Sequence, residues 1–147
     1  MSKEKKDLKA FCILFYVLAV LAFVETAALI YVGVTGNTFG ISELAGIDTT
    51  TFKIVAIVLG VLCAVDGILE VILGSKGLAE LKGTYTGTSH MKLAAILAVL
   101  NVIGLGMDIY AIVKNEGSWF SLINEVLAII ILVNYRSYCK KILAEKQ

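Results

Sequence analysis

Residues Phe52–Gly74 form an apolar run broken only by Asp66 and Glu70, with Lys53 at its edge. As a helix this run is about 34 Å long, enough to cross the roughly 30 Å hydrocarbon core of a bilayer. Its two acids lie four residues apart, so a helix places both on one face. A chain containing such a segment is expected to fold in a membrane, and the rest of the sequence has to be compatible with that.

It is. Hydrophobic residues make up 59% of the 147 positions and the mean hydropathy is +0.88. Soluble domains are nearer half apolar. At about 20 residues per crossing, the length accommodates four spans with short loops and no separate soluble module. The expected spans are 10–34, 52–74, 93–113 and 118–135. Residues 1–147 are therefore read as a single all-α domain, an integral membrane bundle of four transmembrane helices. The first span follows a basic start but is too long for a signal-peptide core, holds Glu25 and lacks an A-x-A site, so it is read as uncleaved. The chain has no proline, which favours straight, continuous helices over the broken ones common in transporters.

Basic residues set the expected orientation. Four lie in the N-terminal tail, three in the middle loop and four in the C-terminal tail, whereas Lys53 and Lys114 alone flank the other two loops. By the positive-inside rule both termini are cytoplasmic. The location is read as a bacterial or archaeal plasma membrane. Between the spans, Asp48 and Ser118 are expected helix caps. A short helical turn is expected at 42–45. The second span is expected to stop at Gly74, followed over 75–92 by a short helical extension and then irregular structure, which Gly77, Gly83 and Gly87 favour. The tail from Arg136 is expected to run as an amphipathic helix along the membrane surface.

Five acids fall inside the spans: Glu25, Asp66, Glu70, Asp108 and Glu125. An ionised side chain at the bilayer centre costs roughly 2.5–3.5 kcal/mol on insertion scales, so the acids are expected to be buried in a bundle or a wet cavity. Counted along each span, Glu25, Asp108 and Glu125 lie within about 2–7 Å of the midplane on its outer side. Asp66 and Glu70 lie about 4–10 Å inward. On the third span Asn101, Gly104 and Asp108 share a stripe. On the fourth Ser121, Glu125 and Ala128 do the same, with Asn124 beside them. No basic residue lies deep in any span. The acids can then be protonated, can bind a cation, or can pair with another chain. Neutral carboxyls acting as interhelical hydrogen-bond donors are the plainer reading.

The expected proton or cation site comprises Glu25, Asp108 and Glu125, supported by Asp66, Asn101 and Asn124, in a homo-oligomer that transports. The alternative is an accessory or assembly subunit whose acids face basic residues of a membrane partner. Arg136, Lys140 and Lys141 are candidates for anionic lipid headgroups. His90 stands alone in the middle loop and is read as solvated. Cys12, Cys63 and Cys139 have no metal or CxxC spacing and are read as reduced thiols, Cys63 as a small core residue. No metal or cofactor is assigned and no nucleic-acid partner is expected. There is no phosphate loop, HExxH or G-x-S-x-G. Nothing distinguishes one carboxylate as acid and another as base, so the residues make little case for an enzyme.

The span count and Glu25 resemble the small multidrug resistance transporters, but that family's third-span Trp and Gly-Pro pairing are missing. Length and span count are also similar to the eicosanoid and glutathione membrane enzymes, whose arginine-bearing second-span motif has no match in Phe52–Gly74. The chain is assigned to neither.

Overall fold

The computed structural model of the chain describes residues 2–37, 48–114 and 119–145. Every regular element among them is a helix: α1 (Lys3–Thr35), α2 (Thr49–Leu81), α3 (Ser89–Val113) and α4 (Trp119–Ala144). Each is long and apolar enough to cross a membrane. The apolar windows are mostly uncovered by protein; none of the α3 window is buried. This is the pattern of helices whose middles face lipid. The expected turn at 42–45 and the Ser118 cap lie outside the described residues.

The chain forms two compact units: residues 14–72, and residues 1–13 with 73–147. In the first unit α1 and α2 run antiparallel through small residues. Gly33 meets Ile57, Gly60 meets Ile30 and Leu29, and Gly67 meets Phe23 and Ala22. Each step up α2 is matched by an equal step down α1. Ala56, Gly60, Cys63 and Gly67 recur at four and three residues, the spacing of a left-handed helix seam. Without side chains to separate them, backbones approach closely, which is how helices associate where lipid removes the hydrophobic drive.

In the second unit α3 packs on α4 with the same regularity. Asp108 faces Ser121, and Gly104 faces Glu125. Fourteen residues further, or about four turns, His90 lies near Cys139. The α3 seam is therefore His90, Ala94, Leu97, Asn101, Gly104 and Asp108. The α4 seam is Ser121, Glu125, Ala128, Leu132, Tyr135, Cys139 and Ile142. The fully buried core sits at one end of this unit, where Leu8, Cys12, Leu73, Ala94, Tyr135, Cys139 and Ile142 gather.

Two helix ends show how local chemistry sets the boundaries. α2 does not stop at Gly74, which is buried within the helix. It stops at Leu81, where Gly83 takes φ +75°. The Thr84 N–H then reaches the Ala79 carbonyl and the Gly83 N–H the Glu80 carbonyl, each at 3.0 Å. That is a Schellman motif, which needs a left-handed residue and favours glycine there. The helical extension expected after Gly74 thus runs seven residues, to Leu81. At the other end of α2, Asp48 Oδ1 accepts from the Thr50 and Thr51 N–H groups at 2.9 and 3.0 Å, as its position before the threonines predicts.

The Thr51 hydroxyl and N–H bonds hold the Asp48 carboxyl below the usual aspartate range. A lowered carboxyl pKa stabilises the cap fully above the ordinary aspartate pKa, and that contribution disappears as pH falls through the lowered value. Amide exchange at Thr50 and Thr51 should therefore stay slow through mildly acidic pH and accelerate only in stronger acid. Asp48→Ala should make it fast at every pH, and equal exchange in both proteins would remove the cap assignment.

The tail also differs from expectation. It continues α4, but its apolar face closes on the protein core, with Cys139 and Ile142 fully buried. Phe11 and Tyr138 rings lie 5.8 Å apart, and Lys5 reaches Glu145 at 3.8 Å. The second contact is exposed and contributes little.

Candidate functional site

The expected trio divides between units, with Glu25 in residues 14–72 and Asp108 and Glu125 in the other. The span acids are also less buried than expected. Glu25 and Asp66 are exposed, while Glu70, Asp108 and Glu125 are half-buried. The cause is their phase. Glu25 is one residue short of Thr26 and Asp66 one short of Gly67, so each is turned about 100° from the α1–α2 seam. In the unit of residues 14–72, Glu25, Asp66 and Glu70 lie within electrostatic reach of one another. The Cys63 thiol points at Glu25 Oε2, 3.9 Å away. Cys63 is half-buried rather than a closed core position, and all three cysteines are free.

On α3 and α4 the Ser121 hydroxyl donates to Asp108 Oδ2 at 2.7 Å. The Glu125 carboxylate fills the space a Gly104 side chain would occupy, with Oε1 2.7 Å from that Cβ position. Asn101 donates to the carbonyl of Leu97 in its own helix at 2.8 Å, which ties up its amide. Asn124 is exposed, as are Arg136, Lys140 and Lys141. Lys141 Nζ lies 5.7 Å from the Tyr138 ring centroid.

Among the described residues, the buried acid is one the sequence placed in a loop. Glu80 sits on the last turn of α2 and His90 on the first turn of α3, with relative exposures of 1% and 0%. His90 Nε2 and Glu80 Oε2 are 2.6 Å apart, so His90 is not solvated. The Gly83 turn brings the last turn of α2 and the first turn of α3 together. Cys139 arrives from α4, within hydrogen-bonding reach of Glu80 and Tyr135. The Tyr135 hydroxyl donates to the Leu73 carbonyl at 2.7 Å. Gly77 admits that phenol ring: a Cβ there would lie 2.9 Å from the Tyr135 oxygen and 2.5 Å from Cys12 Sγ.

Aromatic edges fix the imidazole. Tyr85 and Tyr135 rings stand 5.3 and 6.0 Å from it, both T-shaped. The turn is tied by Lys76 Nζ, which donates to Ser89 Oγ at 2.8 Å, and by a 2.6 Å hydrogen bond between the Tyr85 and Ser89 hydroxyls. His90 Nδ1 is buried with no hydrogen-bond partner among the described residues. The signal for this cluster was present: the Asp108–Gly104–Asn101 stripe, continued by three and four residues, lands on His90. The Ser121–Glu125–Ala128 stripe continued the same way lands on Cys139.

No protein-family model, curated protein or solved structure matches the chain.

Proposed function

We propose that this is a multipass membrane protein that takes up protons or a small cation at Glu25, Asp66 and Glu70, acting as an assembly of copies that moves the ion across the bilayer. One observation carries the reading: three carboxylates gather in the unit of residues 14–72, whose only basic residue, Lys53, is about 20 Å along α2 from Asp66. Three negative charges in an apolar segment repel one another and are costly to desolvate, so a bound proton or cation lowers their energy. Asp108 with Ser121 and Glu125 offer oxygen ligands of the same kind on α3 and α4.

The test is flux in proteoliposomes containing a trapped pH-sensitive dye, under a proton, sodium or potassium gradient. Glu25→Gln combined with Asp66→Asn should reduce ion-dependent flux at least tenfold. Unchanged flux in the double variant removes the reading.

The exposure of Glu25 and Asp66 on the isolated chain favours a second reading, an assembly subunit whose acids meet basic residues in a partner's spans. Purification from native membranes in mild detergent separates the two. A stoichiometric partner with Lys or Arg in its spans supports assembly; copies of this chain alone support the first reading. The exposed Arg136, Lys140 and Lys141 fit anionic headgroups in either case.

A further inference from the structure

We propose that Glu80, His90 and Cys139 form a binding site for a divalent transition metal of the zinc class. The three residues come from three different helices, all are buried, and each can offer one ligand atom such that the atoms lie within 4.8 Å of one another. The donors already touch one another: His90 Nε2 lies 2.6 Å from Glu80 Oε2, and Cys139 is within hydrogen-bonding reach of Glu80. The donor set decides the class of ion. Imidazole, thiolate and a single carboxylate suit zinc and its neighbours, whereas magnesium and calcium require mostly oxygen ligands.

Charge supports the same choice. A thiolate and a carboxylate cancel the two positive charges of the ion while imidazole stays neutral, so the filled site has no net charge to bury. Three protein ligands leave the fourth tetrahedral position for water. Bond lengths of about 2.0–2.3 Å place tetrahedral ligands roughly 3.3–3.8 Å apart. The 2.6 Å contact between His90 and Glu80 is therefore a hydrogen bond that opens by roughly 0.7–0.8 Å as the ion replaces the proton. That movement is small, because the cluster lies where α2 turns into α3.

The full-length chain in detergent, stripped with chelator, is titrated with Zn²⁺ alone and separately with Co²⁺. We expect one Zn²⁺ retained per chain after gel filtration, a higher Tm with Zn²⁺, and a thiolate-to-cobalt charge-transfer band in the near ultraviolet. Cys139→Ser should abolish the band, His90→Gln should weaken binding at least a hundredfold, and Cys63→Ser should change neither. A wild-type protein that gives no charge-transfer band and retains no Zn²⁺ overturns the proposal without recourse to any variant. So does wild-type affinity in both Cys139→Ser and His90→Gln. Neither result bears on the ion flux assigned to Glu25, Asp66 and Glu70.

Discussion

Glu80→Ala is expected to destabilise the protein by about 1–3 kcal/mol, the cost of leaving a buried polar group without its hydrogen-bond partner. Glu80 and His90 are almost fully enclosed and 2.6 Å apart. Once the carboxylate is gone, the imidazole keeps the desolvation cost and loses the partner that offset it. His90→Ala should cost a similar amount. Glu80→Ala with His90→Ala should cost clearly less than the two single losses together, because each single change already breaks the pair. Reversible unfolding in detergent with excess chelator, followed by loss of helical circular dichroism, measures all three. A loss under about 0.5 kcal/mol for Glu80→Ala would mean that water reaches the pair and that the two side chains are not enclosed.

The second large effect concerns a residue with no side chain. Gly77→Ala places a methyl group 2.5 Å from Cys12 Sγ and 2.9 Å from the Tyr135 hydroxyl oxygen, and both neighbours are fully buried. Neither side chain has open space to retreat into, so the expected loss is about 1–3 kcal/mol, as for other overpacked cores. Gly106→Ala is the matched control, because nothing lies within 4 Å of its Cβ position. It should be neutral or stabilising by up to about 1 kcal/mol, from helix propensity alone. Adding Cys12→Ala to Gly77→Ala should recover part of the loss. If Gly77→Ala and Gly106→Ala unfold alike, the tight α1–α2–α4 approach at Gly77 is not present.

The four helices were legible because their apolar runs are long and the polar stretches between them are rich in glycine, threonine and charge. The Asp48 cap was legible for the same local reason. The stripes through Asn101 and Gly104, and through Glu125 and Ala128, were also visible, and they are the seams on which α3 and α4 meet. Where the reading failed, membrane and soluble signals conflict. Gly74 looked like a stop because glycine often ends helices, but it is buried inside α2, and the left-handed glycine that ends the helix is Gly83. Residues 75–92 looked like a loop because they carry lysines, Glu80 and His90. Polar residues packed inside the protein at a bundle end have the same composition as a solvated connection. Glu25 was grouped by depth with Asp108 and Glu125, although depth carries no information about which way a side chain turns. Its neighbours in the structure, Cys63 and Asp66, depend on the register between α1 and α2, and the long connection between those helices leaves that register unspecified. Few residues separate α3 from α4, which constrains that pair far more closely.

The regular facing of α3 and α4 limits how this protein can change in length. Removing one residue between Val126 and Asn134 would swing everything beyond it by about 100°, carrying Tyr135 and Cys139 away from His90. Removing seven would restore the angle but shorten the rod by roughly 10 Å, a third of the lipid's oily thickness. Angle and span therefore forbid different deletions, and between them leave α4 no neutral one. Variation in size should accumulate in the connections between helices instead.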